Sequence, residues 1–239
     1  MASIGTFEGK NVLVVGGSSG IGKATLSKLR EQGAEVYNVS RSPCHIQGVS
    51  DILLDVLSDF SVIEGMPDRL DGLVYCPGSI NLKPFQGLKY EDFLRDFEIN
   101  VLGGIKVLKA CVKNIKAAES PSIVFFSTVA VTQGMSFHSS VAASKGAIEG
   151  LVKSLAAEWS RSGIRVNAIA PSLTDTPMAQ NLLSTDEKRK ASEERHPLKG
   201  ISTAEELAGT VMYLLSDVAH RVTGQVIHVD GGMSSIRPF

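Results

Sequence analysis

The residues Gly16-Gly17-Ser18-Ser19-Gly20-Ile21-Gly22 combine glycines, hydroxyls and a following helical pattern in a way suited to holding an anion. Glycines let the backbone turn sharply and approach a ligand closely, and the free N–H groups of a helix start, with its dipole, hold a pyrophosphate. The spacing is G-x-x-x-G-x-G, and glycine-rich turns also join strands to helices that bind nothing, so the turn alone leaves both readings open. Ser40-Arg41 is the second chemical feature. A guanidinium forks onto phosphate oxygens and a serine hydroxyl donates to them, so the pair reads as a phosphate grip, with an ordinary surface arginine as the alternative. His138 is the third: a histidine can hand over a proton directly or through water, or simply make a structural hydrogen bond at a helix start. Cys44, Cys76 and Cys111 are an odd, widely spaced set without C-x-x-C. That pattern argues against a disulfide framework and a zinc site, so no metal and a reducing compartment are expected.

These residues need a scaffold, and short apolar runs alternate with longer helical patterns from end to end. The alternation predicts one α/β domain over residues 1–239, a parallel sheet with helices on both faces. Strands are predicted at Asn11–Val15, Glu35–Val39, Asp51–Asp55, Gly72–Cys76, Ser122–Ser127, Ile164–Ile169 and Gln225–Val229. Helices are predicted at Gly20–Gln32, Asp59–Gly65, Tyr90–Ala117, Ser140–Arg161 and Thr203–Ser216, the last opened by a capping box of Ser202 and Glu205. Ser139 and Ser140 are expected to cap their helix. Apolar residues of Ser140–Arg161 spread beyond one stripe, which points to burial against another subunit or to close packing on the sheet. Between 173 and 200 strand signals stop and the run Asp186-Glu187-Lys188-Arg189-Lys190 appears, read as a flap over a site or a solvated helix face.

Taken together, these motifs identify the chain as resembling the short-chain dehydrogenases/reductases. Val15 to Gly22 resembles the family's T-G-x-x-x-G-I-G turn, and Asp55-Val56 its adenine-contacting Asp after the third strand. Pro77-Gly78 stands where N-N-A-G ends, Asn100 matches a mid-helix Asn, and Ser144-Lys145 ends a Y-x-x-x-K motif. Arg165 to Pro171, with Leu173 and Thr176-Pro177-Met178, is similar to the strand and loop that hold nicotinamide, and Thr223 to Gly232 to the C-terminal signature. The resemblance implies a seven-stranded doubly wound Rossmann-type sheet, a nicotinamide dinucleotide, a small-molecule substrate and a homo-oligomer, dimer or tetramer. A carboxylate after the second strand would favour NAD, and Ser40-Arg41 there favours NADP(H). Only the stretch Ser42 to Asp51 links the second and third strands, where relatives usually fit a helix, so the adenine side is expected to be open.

The family's acid is a tyrosine, with a lysine four residues later and a hydroxyl donor thirteen residues earlier. Lys145 is present, but residue 141 is Val and residue 128 is Thr, with Ser127 an alternative donor if the strand end twists. No Tyr lies between Tyr90 and Tyr213, so a shifted register does not restore the motif. Asn100, Thr128, Lys145 and His138 are therefore the catalytic candidates. Three readings stay open: a reductase with a relocated acid such as His138 or water, a reductase of a substrate needing little acid, and a nucleotide-binding protein without turnover.

Charge and composition narrow the partners. With 24 Lys+Arg against 25 Asp+Glu and a net charge of −1, nothing favours nucleic acid or an anionic membrane. Met1 to Gly9 carries no basic stretch followed by an apolar one, and no long uninterrupted apolar run exists. A soluble cytoplasmic location is the expectation.

Overall fold

Strand β1 (Asn11–Val15) is an interior strand, buried along almost its whole length because both faces of its sheet are covered by helices. The computed structural model describes residues 6–237, so the reading of Met1 to Gly9 extends outside the described residues. β1 pairs with β2 (Glu35–Ser40) on one side and β4 (Gly72–Tyr75) on the other. β3 (Val49–Leu53), β5 (Ser122–Phe126), β6 (Arg165–Pro171) and β9 (Val226–Val229) complete a seven-stranded sheet in the order β3-β2-β1-β4-β5-β6-β9. Every pairing is parallel. The order reverses between β1 and β4, the switch point outside which open α/β sheets bind ligands. A separate two-stranded ladder joins β7 (Thr174–Asp175) to β8 (Ser202–Thr203).

Helix α1 (Gly20–Glu31) follows β1 and packs with α7 (Ala204–Leu215) over one face of the sheet. Leu26, Leu29, Leu207, Val211 and Leu214 close that core. The other face carries α3 (Gly103–Lys116) and α5 (Ser139–Trp159), with Val107, Ile115, Ile148 and Val152 against Leu73 and Phe125. α5 buries Val141, Lys145, Ile148, Val152, Ala156 and Trp159, a spacing that forms one stripe. Lys145 lies on this sheet-facing stripe.

Several expected boundaries are corrected. Asp59–Gly65 forms turns, because Gly65 at φ +80° and Pro67 leave too short a segment to nucleate a helix. Tyr90–Ala117 is interrupted: α2 (Tyr90–Phe97) and α3 flank a single π turn, Glu98–Leu102. Tyr75 Oη donates to the Ile99 carbonyl that this wide turn exposes, at 2.6 Å. β3 lies two residues earlier than expected, since its register runs Val36↔Val49 to Ser40↔Leu53, and Asp55 falls in the loop beyond it. The capping box is Thr203 with Glu206 instead of Ser202 with Glu205, because Ser202 and Thr203 are held in β8 and the helix starts one residue later. Ser139 and Ser140 lie inside α5, whose cap residue is His138; Ser140 Oγ turns inward to Asp96 Oδ2 at 2.6 Å.

Candidate functional site

Two clefts open at the carboxyl ends of the strands. The smaller, about 240 Å³, is walled by the turn after β1 and the ends of β2, β3 and β4. Gly16, Ser18, Ser19, Gly20, Ile21, Gly22, Ser40, Arg41, Asp55, Val56, Pro77 and Gly78 all line it, as does Arg95 from α2. Gly16 and Gly20 have φ of +82° and +53°, the left-handed region that glycine reaches without strain. A Cβ at Gly22 would run into the Gly16 carbonyl, so the turn can close only with glycine there.

Asn38, buried on β2, holds this wall. Its Oδ1 accepts from Gly17 N–H at 3.0 Å, and its Nδ2 donates to Asp51 Oδ1 at 2.6 Å and Ser40 Oγ at 2.9 Å. Burial alone would raise the Asp51 pKa, but hydrogen bonds from Asn38 and Cys44 outweigh it and hold the carboxyl below its usual range. Ser40 Oγ donates to the Ser42 carbonyl at 2.6 Å. Its proton is thus engaged within the protein, while Ser40 itself lines the cleft. Arg41 is exposed and lines the same cleft.

The larger cleft, about 480 Å³, shares Cys76, Gly78, Thr176 and Met178 with the smaller, so the two meet at a seam. Ser127, Thr128, His138, Val141, Lys145, Pro171 and Leu173 line the larger cleft. Thr128 caps α4 (Val129–Gln133): its oxygen accepts from Ala130 N–H at 3.3 Å, leaving the hydroxyl proton unengaged. Ser127 Oγ donates to Glu149 Oε1 at 2.6 Å, so Thr128 keeps the free donor. His138 Nδ1 lies 2.7 Å from the Ser136 carbonyl, which fixes Nδ1 as the protonated nitrogen of the neutral ring. The structural hydrogen bond and the position on the cleft wall are therefore both present. No tyrosine lines either cleft.

Lys145 Nζ donates to the Phe126 carbonyl at 2.9 Å. Burial lowers its pKa to about 8, against the pull of Cys76 and Asp96 in the other direction. Burial also pushes the neighbouring Cys76 thiol up to about 12. Asn100 does not reach either cleft. It sits in the π turn behind Gly78, donating to Ser144 Oγ at 2.9 Å, while its Oδ1 is buried without a partner. A Cβ at Gly78 would lie 3.3 Å from that oxygen and 3.5 Å from Lys145 Nζ, so glycine lets the two groups flank the seam. Asp96 accepts from both Ser79 and Ser140 hydroxyls, tying α2 to α5 and to the loop after β4.

The sequence profile described as Enoyl-(Acyl carrier protein) reductase matches residues 15–234. A tropinone reductase homologue from Arabidopsis thaliana is 32% identical over 252 residues, covering 96% of this chain and 94% of the relative. The chain belongs to the short-chain dehydrogenase/reductase family. An L-xylulose reductase from Bos taurus is 32% identical, with 94% and 96% of the two chains covered. Among solved structures, an Agrobacterium tumefaciens protein named as a candidate 2-deoxy-D-gluconate 3-dehydrogenase, with bound NADP, superposes with a TM-score of 0.87. It is 28% identical, with 99% and 100% coverage. The ligand-free aldohexose dehydrogenase of Thermoplasma acidophilum is 26% identical and also has a TM-score of 0.87, with 98% and 97% coverage.

Against the short-chain dehydrogenase/reductase framework, sequence reasoning missed Cys76, Arg95, Ser172, Lys188, Arg195 and His196, all of which line the clefts. His196 is buried and bridges the flap to the loop after β6: Ser172 Oγ lies 2.8 Å from its Nε2 and the Ser192 carbonyl 2.9 Å from its Nδ1. Of the missed residues, only Lys188 carried a usable signal, its place in the charged run Asp186 to Lys190 that reads as a flap. No group of three or more His, Cys, Asp or Glu suited to a metal ion occurs among the described residues. Cys44, Cys76 and Cys111 are free, and no described helix is long and apolar enough to cross a membrane.

Proposed function

We propose that this chain is an NADP(H)-dependent oxidoreductase that reduces a small carbonyl compound in the larger cleft, with Val141 in the family's tyrosine position and His138 supplying the proton. The seam carries this reading: a glycine-walled nucleotide cleft and an open second cleft share residues, with Lys145 beside the shared Gly78, and Thr128 and His138 lining the second cleft with it. The cradle fits a dinucleotide phosphate, since only glycine at position 22 lets the turn form and Arg41 stands where a 2′-phosphate needs a cation. The bound NADP of a structural neighbour supports the same choice. NADPH, when bound, supplies the hydride.

The chain's own residues do the rest. Arg41 grips the phosphate, and Asp55 and Val56 border the adenosine end. Lys145, placed within 2.9 Å of the Phe126 carbonyl, presents its ammonium at the seam, where it can hold a ribose hydroxyl. Thr128 donates a hydrogen bond from its free hydroxyl to the carbonyl oxygen and keeps its own proton. His138 keeps Nδ1 on Ser136 and delivers a proton from Nε2, the nitrogen that gains one in the imidazolium. Localisation in the cytoplasm and assembly into a homo-oligomer belong to this reading.

Two experiments test it. Fluorescence titration should show NADPH bound at least about tenfold more tightly than NADH, with Arg41→Ala removing most of the difference; equal affinities in the parent protein would overturn the Arg41 assignment. NADPH oxidation with an activated dicarbonyl should fall about 10²-fold or more in His138→Ala, the usual worth of a positioned acid. One observation favours a second reading, a nucleotide-binding protein without turnover: the apolar Val141 stands where the acid would be expected. Tight NADPH binding with no carbonyl reduced would select it.

A further inference from the structure

The charged run that begins at Asp186 has no part in the reaction outlined above, and its side chains behave differently from one another. Asp186 and Glu187 occupy the first turn of α6 (Asp186–Glu193), where the helix dipole favours acids. Arg189 pairs with Asp175 at 2.8 Å, anchoring the helix to β7. Lys188, Ala191 and Ser192 of this helix, and Arg195 in the turn that follows it, line the larger cleft. The flap thus brings two cations to the cleft wall.

Both cations lack an opposite charge. Lys188 Nζ donates only to neutral acceptors, Ser184 Oγ at 2.9 Å and the Asn181 carbonyl at 3.3 Å. Neither Lys188 nor Arg195 is in an ion pair among the described residues. The cleft has no Asp or Glu on its wall, because Glu193 and Glu194 lie outside it, while Leu82, Met135, Leu173 and Leu182 supply apolar surface. Cations beside low-dielectric walls, with no carboxylate to offset them, focus a positive potential into the cleft. A cationic amine would find no carboxylate on that wall to pair with.

Resting on the reductase reading above, we infer that the substrate is an apolar carbonyl compound that also carries a carboxylate. Its carbonyl lies at Thr128 and its anionic end is held by Lys188 and Arg195 of the flap. The chemistry being recognised is a terminal oxyanion on an apolar body, and a phosphate monoester shares it. The carboxylate is assigned because a single negative charge loses less hydration than a dianion on entering a largely apolar cleft.

The test is calorimetric titration of the NADP⁺-saturated protein with three probes: an oxo-octanoate whose ketone is remote from the carboxylate, its methyl ester, and the phosphate monoester of the matching keto-alcohol. The acid should bind about tenfold more tightly than the ester at low salt. That preference should fall about tenfold in Lys188→Gln/Arg195→Gln, should survive in Arg195→Lys, and should erode as sodium chloride rises. Acid and ester binding equally, or neither binding, would overturn the inference. Tighter binding of the phosphate would replace carboxylate by phosphate. Parallel NADPH oxidation separates the two readings: reduction without acid preference overturns the inference alone, and acid preference without any reduction overturns the reductase reading alone.

Discussion

Lys145 shows how one side chain links packing to chemistry. It sits on the sheet-facing stripe of α5, where an apolar residue would normally lie, and burial lowers its pKa from 10.5 to about 8. Between those values the unfolded chain binds the extra proton and the folded protein does not, so this group's contribution to stability rises with pH across that window. The contribution is complete above about 10.5 and lost as pH falls through about 8, a difference of about 3 kcal/mol. Urea unfolding from neutral pH to about pH 9 should show the parent gaining stability relative to Lys145→Met as pH rises; parallel curves would show the ammonium to be solvated. Resemblance located Lys145 and Thr128 because their separations match a motif along one chain. The partners of Ser40 were not legible, because its proton goes to Ser42 and it accepts from Asn38, which is tied to Asp51 thirteen residues away by a contact made only in the fold. His196 was invisible for the same reason, having its partners at Ser172 and Ser192.

The elements were legible wherever the apolar period was strong. β1, β2, β4 and β5 fall within a residue of their expected bounds because all are buried runs. The π turn was not legible: Glu98–Leu102 has ordinary helix-forming residues, and its widening is paired with an acceptor demand from Tyr75, on a different strand. The start of α7 was misplaced by one residue because two overlapping patterns, Ser202 with Glu205 and Thr203 with Glu206, both fit a capping box, and only pairing of β8 with β7 decides between them. In the fold, Thr203 Oγ1 accepts from Glu206 N–H at 3.2 Å, and Glu206 Oε2 accepts from Thr203 N–H at 2.7 Å. Thr203→Ala should therefore cost about 1 kcal/mol and Ser202→Ala only a few tenths, measured by chemical denaturation. Equal costs would return the cap to Ser202.

At the scale of the whole molecule, the two sheet faces are closed by helices, yet α2 and the π turn leave apolar side chains outside. Tyr90, Leu94, Phe97 and Leu102 are 72%, 44%, 39% and 43% exposed. On neighbouring α5, Ala147, Leu151 and Leu155 reach the core only in part. The sequence signalled this excess as more apolar circumference than one sheet can cover, and α5 buries just one stripe, so the remainder stays outside the core. Aromatic and leucine side chains grouped on adjoining helices suit a self-complementary contact, in which the same patch serves both copies. A stable dimer removes about 1,200–2,000 Å² of surface in total, which two such helices per copy can supply. We therefore expect light scattering at micromolar concentration to give a multiple of the 25.4 kDa chain mass. Leu94→Lys/Phe97→Glu should shift the population toward the single-chain mass, since each substitution places a charge where the contact would have to desolvate it. Leu94 and Phe97 line neither cleft, so the dissociated variant also offers NADPH titration as a check that the fold is intact. A parent protein with the single-chain mass throughout would show that these helices are covered by nothing but solvent.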